Sequence, residues 1–320
     1  MVGGESPWAA GGRPGTNGYV RPNGHAGPFG HVRGGTRIHR HLRSIDPRRL
    51  GRYELLARLG EGGQGIVYLG RPPRGPHVAV KMLHGWLLDD HRARRRFAQE
   101  LKAAQRVDPL RTARVLDAEI GPELCYIVTE YIDGPTLREV IKERGPLPDV
   151  PLAGLAIGTA TALAAIHRAA VVHRDLKPSN VVLGPDGPRV IDFGTARLLD
   201  TAGCSTSQHL GTPAYMAPEQ LGDSRPDQAG DVFAWGCTMG YAANGYPPFG
   251  GDYLPAIISR ILHAEPDLGR LGGRLRELVT ACLRKDPDRR PTAGGLMDAV
   301  AGLDRPTGRR RSRRARVHRT

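Results

Sequence analysis

The chain has 320 residues, 39% of them apolar, and a formal net charge of +14, a length sufficient for one large domain or two modest ones around a buried core. The charge lies at the ends: eight Arg face two acids in residues 1–50, and residues 306–320 hold seven Arg and no acid, so the body between is nearly neutral and does not read as a basic nucleic-acid platform. Cys125, Cys204, Cys237 and Cys282 are far apart and form no C-x-x-C pair, which argues against a zinc site or a disulfide framework and fits a reducing, cytoplasmic setting.

Residues 1–50, rich in Gly, Pro, Arg and His, offer too little apolar surface to offset the entropy of ordering and are expected to be a disordered arm. Its histidines, His25, His31, His39 and His41, lack Cys or carboxylate partners and read as a polar tail. Order is expected to begin near Tyr53, with strands at Tyr53–Leu59, Ile66–Leu69 and His77–Leu83 and a Pro/Gly turn over Arg71–Pro76. Asp90–Val107 lacks Gly and Pro and predicts a helix; Val115–Glu119 and Cys125–Tyr131 read as two more strands. Residues 51–132 thus form a small β-rich lobe with one helix.

From residue 133 to 303 the pattern becomes mainly helical. Leu152, Leu155, Ala156, Thr159, Leu163 and Ile166 share one helix face. Leu152–Ile166 falls short of the roughly 20 residues a membrane span requires, so no transmembrane helix is expected, and the N-terminus carries no pattern of a cleaved signal peptide. Asp186-Gly187 marks a hairpin, and further helices are expected at Ala229–Ala243, Tyr253–Ala264, Arg274–Leu283 and, capped by Thr292, up to Gly302. Residues 304–320 read as a basic disordered tail. The fold class is α+β.

Gly60-Glu61-Gly62-Gly63-Gln64-Gly65 matches G-x-G-x-x-G, a weak signal on its own. A dinucleotide-binding loop opens a helix, whereas Ile66-Val67-Tyr68-Leu69 continues as a strand, so these glycines sit in a hairpin able to close over phosphates. Ile66 stands where the lysine of a Walker A loop would be, which excludes that alternative. Lys81, one of only five lysines, follows Val78-Ala79-Val80 in a strand that otherwise reads as buried. A cation there can hold phosphates if a carboxylate steadies it, and Glu100 is the candidate within the following helix.

His173-Arg174-Asp175-Leu176-Lys177-Pro178-Ser179-Asn180 is the sharper signal. Phosphoryl transfer depends on positioning and charge neutralisation more than on covalent help. Asp175 can accept a hydroxyl proton, Lys177 can neutralise the γ-phosphate, and Asn180 offers a hard oxygen to Mg²⁺. Asp192, in Asp192-Phe193-Gly194, lies twelve residues past Asn180 and supplies a second oxygen ligand.

In this order and spacing the motifs resemble the eukaryotic-like bacterial serine/threonine protein kinase family over about Tyr53–Gly302. The resemblance implies the two-lobed protein kinase fold with ATP and Mg²⁺, or Mn²⁺, between the lobes. Leu59 through Val67, including Glu61, Gly63, Gln64 and Ile66, would then frame the nucleotide. Val67 and Ala79 would pack on adenine, Thr129 would stand as gatekeeper, and the backbones of Glu130 and Ile132 would bond the base. Glu219 of Ala217-Pro218-Glu219 would pair with Arg290, and Asp231 would brace the catalytic loop. Lys177 and Gly211-Thr212-Pro213 resemble the serine/threonine-specific branch. Arg174 before Asp175 implies activation by phosphorylation, for which Thr201, Ser205, Thr206 and Ser207 are the candidate acceptors.

The substrates implied are proteins with Ser or Thr acceptors. A catalytically inactive pseudokinase scaffold and a small-molecule phosphotransferase are the alternatives. Intact Lys81, Glu100, Asp175, Asn180 and Asp192 weigh against the first, and the Gly211–Glu219 segment weighs against the second. The Arg309–Arg319 tail is a candidate contact for nucleic acid or an anionic membrane.

Overall fold

A computed structural model describes residues 40–63, 65–83, 91–121, 124–193, 213–222, 227–250 and 253–303. The first lobe is a single antiparallel sheet whose strands are β1 (Arg49–Leu50), β2 (Tyr53–Gly62), β3 (Gly65–Arg71), β4 (Val78–Leu83), β5 (Val115–Ile120) and β6 (Cys125–Glu130). They lie in the order β1-β2-β3-β4-β6-β5. Its one helix among the described residues, α1 (His91–Ala104), precedes β5.

The two-residue period of a strand separates the faces of this sheet. Ile66, Tyr68, Val78, Val80, Tyr126 and Val128 build an apolar cluster on one face. The registers Val67↔Lys81 and Ala79↔Thr129 put the expected nucleotide-facing side chains together on the other. Order begins earlier than expected. Residues 40–50 are docked on β2, with Arg40 paired to Arg58 in an antiparallel bridge and Leu42 packed on the apolar cluster.

The second lobe opens with α2 (Leu137–Arg144), which the sequence reading passed over although its start is marked by a complete capping box between Thr136 and Glu139. Then come α3 (Asp149–Arg168) and the hairpin β7 (Val181–Gly184) to β8 (Gly187–Val190), at the site marked by Asp186-Gly187. Helices α4 (Gln228–Asn244), α5 (Leu254–His263), α6 (Gly273–Cys282) and α7 (Ala293–Ala301) follow within about a residue of expectation, with Thr292 as the N-cap of the last.

Helix α3 is longer than its apolar stretch suggested. At 20 residues, with a mean hydropathy of 1.6 over an 18-residue stretch, it has the length and composition of a membrane span. Its environment assigns it to the protein core instead: Leu155, Ala156, Ala160 and Ile166 are fully buried, and the Trp235 indole N–H of α4 donates to Thr159 Oγ1 at 2.9 Å. Gly158 lets Pro188 of β8 sit against the helix; a Cβ there would fall 2.4 Å from the proline ring. The hairpin that carries the site is thus seated on a helix buried in the core of the lobe.

Candidate active site

The loop between α3 and β7 is fixed from beneath. Asp231, 1% exposed on α4, accepts the N–H groups of His173 and Arg174, each at 2.7 Å, and lies 2.8 Å from His167 Nε2 at the end of α3. Three contacts on one buried carboxylate hold Arg174 in the left-handed region, φ 68°, a conformation that costs a non-glycine residue about 1–3 kcal/mol and concentrates at functional sites. Asp231 performs the bracing role expected of it. His167 was not foreseen; a histidine closing an apolar helix six residues before His173 was the available signal.

Asp175 follows this anchored pair. Lys177 Nζ stands 2.8 Å from its Oδ2, and Asn180 Nδ2 donates to its backbone oxygen at 2.7 Å and to Oδ2 at 3.1 Å. Asp175 therefore keeps two donors beside a carboxylate that remains about a quarter exposed. Ile191 N–H donates to the Asn180 carbonyl at 2.9 Å, so the stretches bearing Asn180 and Asp192 run side by side. Asp192 also adopts a left-handed backbone, φ 61°.

An amide oxygen and a carboxylate at adjacent positions suit Mg²⁺, which is held through one or two protein oxygens plus phosphates and water. No cluster of three or more His, Cys, Asp or Glu able to cage a metal occurs among the described residues.

Opposite this loop, Lys81 on β4 is 8% exposed, and its Nζ lies 3.6 Å from Asp192 Oδ2. Glu100 on α1, expected to steady Lys81, has its Oε2 3.6 Å from Arg174 Nη1. Lys81, Phe97, Leu101, Thr129, Asp192 and Phe193 line one cavity behind the expected gatekeeper, with the edge of Phe193 against His173.

Leu59, Val67, Ala79 and Thr129 are part-exposed, as a cleft wall requires, while Ile132 is buried beside Ala113 and Val182. Ile66 belongs to the opposite, buried face of β3 and does not point into the cleft. The glycine loop is the β2–β3 hairpin, closed by the pairs Glu61↔Ile66 and Gly62↔Gly65. Gly65 has φ +150°, and a Cβ there would fall 2.0 Å from the Met82 carbonyl. Gln64 lies outside the described residues. So do Gly194 to Thr212, with Thr201, Ser205, Thr206 and Ser207, and the Arg309–Arg319 tail.

The strand linking the lobes is cross-braced by a residue the sequence did not single out. Arg189 of β8 donates to Glu130 Oε2 and to the Thr112 carbonyl, both at 2.8 Å, and backbone bonds join Ala113 to Val190 and Val190 to Arg111. The Glu130 N–H is itself bonded to the Arg114 carbonyl at 2.9 Å. Farther off, Arg290 makes the expected bidentate pair with Glu219, at 2.6 and 2.8 Å.

A β-rich lobe and a helical lobe, with a glycine hairpin and a lysine facing an Asp-Lys-Asn loop and a second aspartate, define a nucleotide-dependent phosphotransferase fold. The family model for the protein kinase domain matches residues 53–300, and the chain belongs to the protein kinase family. It is 47% identical over 257 residues to the probable serine/threonine-protein kinase PkwA of Thermomonospora curvata, covering 80% of this chain and 35% of that protein. It is 43% identical over 262 residues to the serine/threonine-protein kinase AfsK of Streptomyces coelicolor, covering 81% of this chain and 33% of that one. The chain thus spans about a third of the length of these curated relatives. Among solved structures, the crystal structure of Rad53 1-466 in complex with AMP-PNP shares the fold, with a TM-score of 0.64, 24% identity, and coverage of 78% of this chain and 64% of that one.

Proposed function

We propose that this chain is a serine/threonine protein kinase of bacterial signalling. It transfers the γ-phosphoryl group of ATP, with Mg²⁺ or Mn²⁺, to protein hydroxyls, including those of its own activation segment. The observation that carries this reading is the Asp175 carboxylate, held by Lys177 and Asn180 over the Asp231 anchor and kept part-exposed at the cleft. Family membership and two serine/threonine-kinase relatives above 40% identity support it.

In this mechanism Asp175 orients the incoming Ser or Thr hydroxyl and takes its proton, a role typically worth about 10²–10⁴ in rate. Lys177 keeps a cation beside that carboxylate, where negative charge gathers on the transferred group. Lys81 holds the α- and β-phosphates, and the N–H groups of Gly60 to Gly65 close over them. Val67 and Ala79 cover adenine beside Thr129, with the Glu130 and Ile132 backbones along its edge. Asn180 and Asp192 are the residues to hold the metal, which when bound supplies further neutralisation of phosphate charge. Arg174, released from Glu100, is the group to receive an activation-segment phosphate, and Glu100 then turns to Lys81. A cytoplasmic site of action accords with the free, buried thiols of Cys125, Cys237 and Cys282.

The test is phosphosite mapping by mass spectrometry after incubation with Mg-ATP. Phosphate on Ser or Thr, including one or more of Thr201, Ser205, Thr206 and Ser207, is the expected result. Transfer to a small-molecule hydroxyl with no phosphoprotein would favour the phosphotransferase alternative, and no transfer at all a scaffold.

A further inference from the structure

The matched kinase domain begins at residue 53, yet a buried and extensively bonded acid, Asp46, lies in the segment before it. Asp46 is 6% exposed and Arg58 of β2 is 3% exposed. Arg58 Nε donates to Asp46 Oδ2 at 2.7 Å and its Nη2 to Oδ1; the Tyr68 hydroxyl donates to Oδ1 at 2.9 Å and the Arg43 N–H to Oδ2 at 2.7 Å. The carboxyl is held well below the usual carboxylate range, chiefly by Arg58, and burial together with the Asp46 bond pushes the Tyr68 hydroxyl up to about 12. The pair is therefore ionised throughout the physiological range.

A buried ion pair is weak evidence for stability, because an apolar pair of similar volume often serves as well. The third arm of Arg58 gives this one a direction. Its Nη1 reaches Glu61 Oε2 at 2.8 Å, and Arg43 Nη2 reaches the same oxygen at 3.3 Å. Glu61 is the first variable position of the glycine loop. Its register partner is Ile66, on the face of the sheet turned away from the cleft, so Arg58 and Arg43 grip the base of the loop from that face. Backbone bonds Arg40 N–H to Arg58 O at 3.1 Å and Arg58 N–H to Arg40 O at 2.8 Å fix the segment at the same point of β2.

We infer that residues 40–50 are a strap that sets the position of the glycine-rich loop, and that Asp46 is a positioning residue for the nucleotide, acting through Arg58 on Glu61. The inference rests on the reading of the cleft as an ATP site, and its test separates the two. In the full chain, Asp46→Asn should raise the hydrogen-exchange rate of the Gly60–Gly63 amides about tenfold without nucleotide. It should also raise KM for ATP about three- to tenfold with kcat changed less than twofold, and Asp46→Glu should restore part of the loss. Glu61→Gln removes the group on which the strap acts, so adding Asp46→Asn to it should raise KM by less than twofold, a coupling carried by the arginines the two carboxylates share. Arg43→Ala, at an exposed side chain, gives the same signature at about twofold without threatening the fold.

Unchanged loop exchange in both Asp46→Asn and Arg43→Ala overturns the strap whatever the cleft binds. Effects of Asp46→Asn and Glu61→Gln that simply multiply overturn the route through Glu61. A wild-type chain that fails to bind a fluorescent ATP analogue overturns the nucleotide reading and the positioning role together, while the exchange data still judge the strap itself.

Discussion

Removing Glu219 isolates a cation in the second lobe. The Arg290 side chain has 0% exposure and Glu219 12%, and the two are joined by a pair of hydrogen bonds. Breaking a buried pair from one side typically costs about 3–5 kcal/mol, since the remaining charge has no solvent to turn to. Arg290 would keep the carbonyls of Arg284, Lys285 and Ala229 at 2.8 to 3.1 Å and the Phe233 ring 5.0 Å away, so the lower end applies, about 3 kcal/mol for Glu219→Ala. At about 2–4 °C per kcal/mol for a domain of this size, thermal unfolding followed by circular dichroism should show a fall in Tm of about 6–12 °C. Glu219→Gln keeps one acceptor and should fall between. A drop below about 2 °C for Glu219→Ala, or a Glu219→Gln variant less stable than Glu219→Ala, would refute the reasoning.

Gly134 has φ +148°, and a Cβ there would meet the Leu183 carbonyl at 2.4 Å; Gly134→Ala should cost at least about 2 kcal/mol, read as a lowered urea midpoint. Because Arg58 depresses the Asp46 carboxyl, its contribution is present above the unfolded value near 4 and is lost as pH falls below it. The difference in urea midpoint between wild type and Asp46→Asn should therefore be largest near neutrality and shrink below about pH 4, and a difference independent of pH from 7 to 3 would contradict the pairing. Burial raises the thiols of Cys125 and Cys282 to about 12 and that of Cys237 as well. In a Cys204→Ser background a disulfide reagent at pH 8 should label none of the three natively and all three after unfolding.

Much of the site was legible because phosphoryl transfer needs distinct polar residues at short spacing, and Asp175, Lys177 and Asn180 meet within hydrogen-bond reach, as their spacing implied. Strands and helices with clear periodicity, such as β4 and α4, were legible for the same reason: their pattern is local. Partner choice at long range was not. Glu100 faces Arg174 because α1 and the loop before β7 meet through tertiary packing, which no local spacing records. The strap escaped notice because its apolar content, Leu42, Ile45 and Leu50, is too thin to signal order. What orders it is contact with β2, including the Arg40 bridge and an ion pair spanning twelve positions, Asp46 to Arg58. Arg189 was hidden likewise, one arginine among many in an Arg-rich chain, distinguished only by its reach to Glu130. Helix α2 was available in principle from Thr136 and Glu139.

The central claim is that Asp175 carries transfer of phosphate from ATP to protein hydroxyls. Incorporation of label from γ-³²P ATP with Mg²⁺ into a serine- and threonine-bearing protein substrate, compared between wild type and Asp175→Asn at equal nucleotide occupancy, tests it most directly. The account predicts phosphoserine or phosphothreonine with the wild-type chain and a rate lower by about 10²–10⁴ in the variant. Equal incorporation by the two, with both bound to nucleotide, would contradict it.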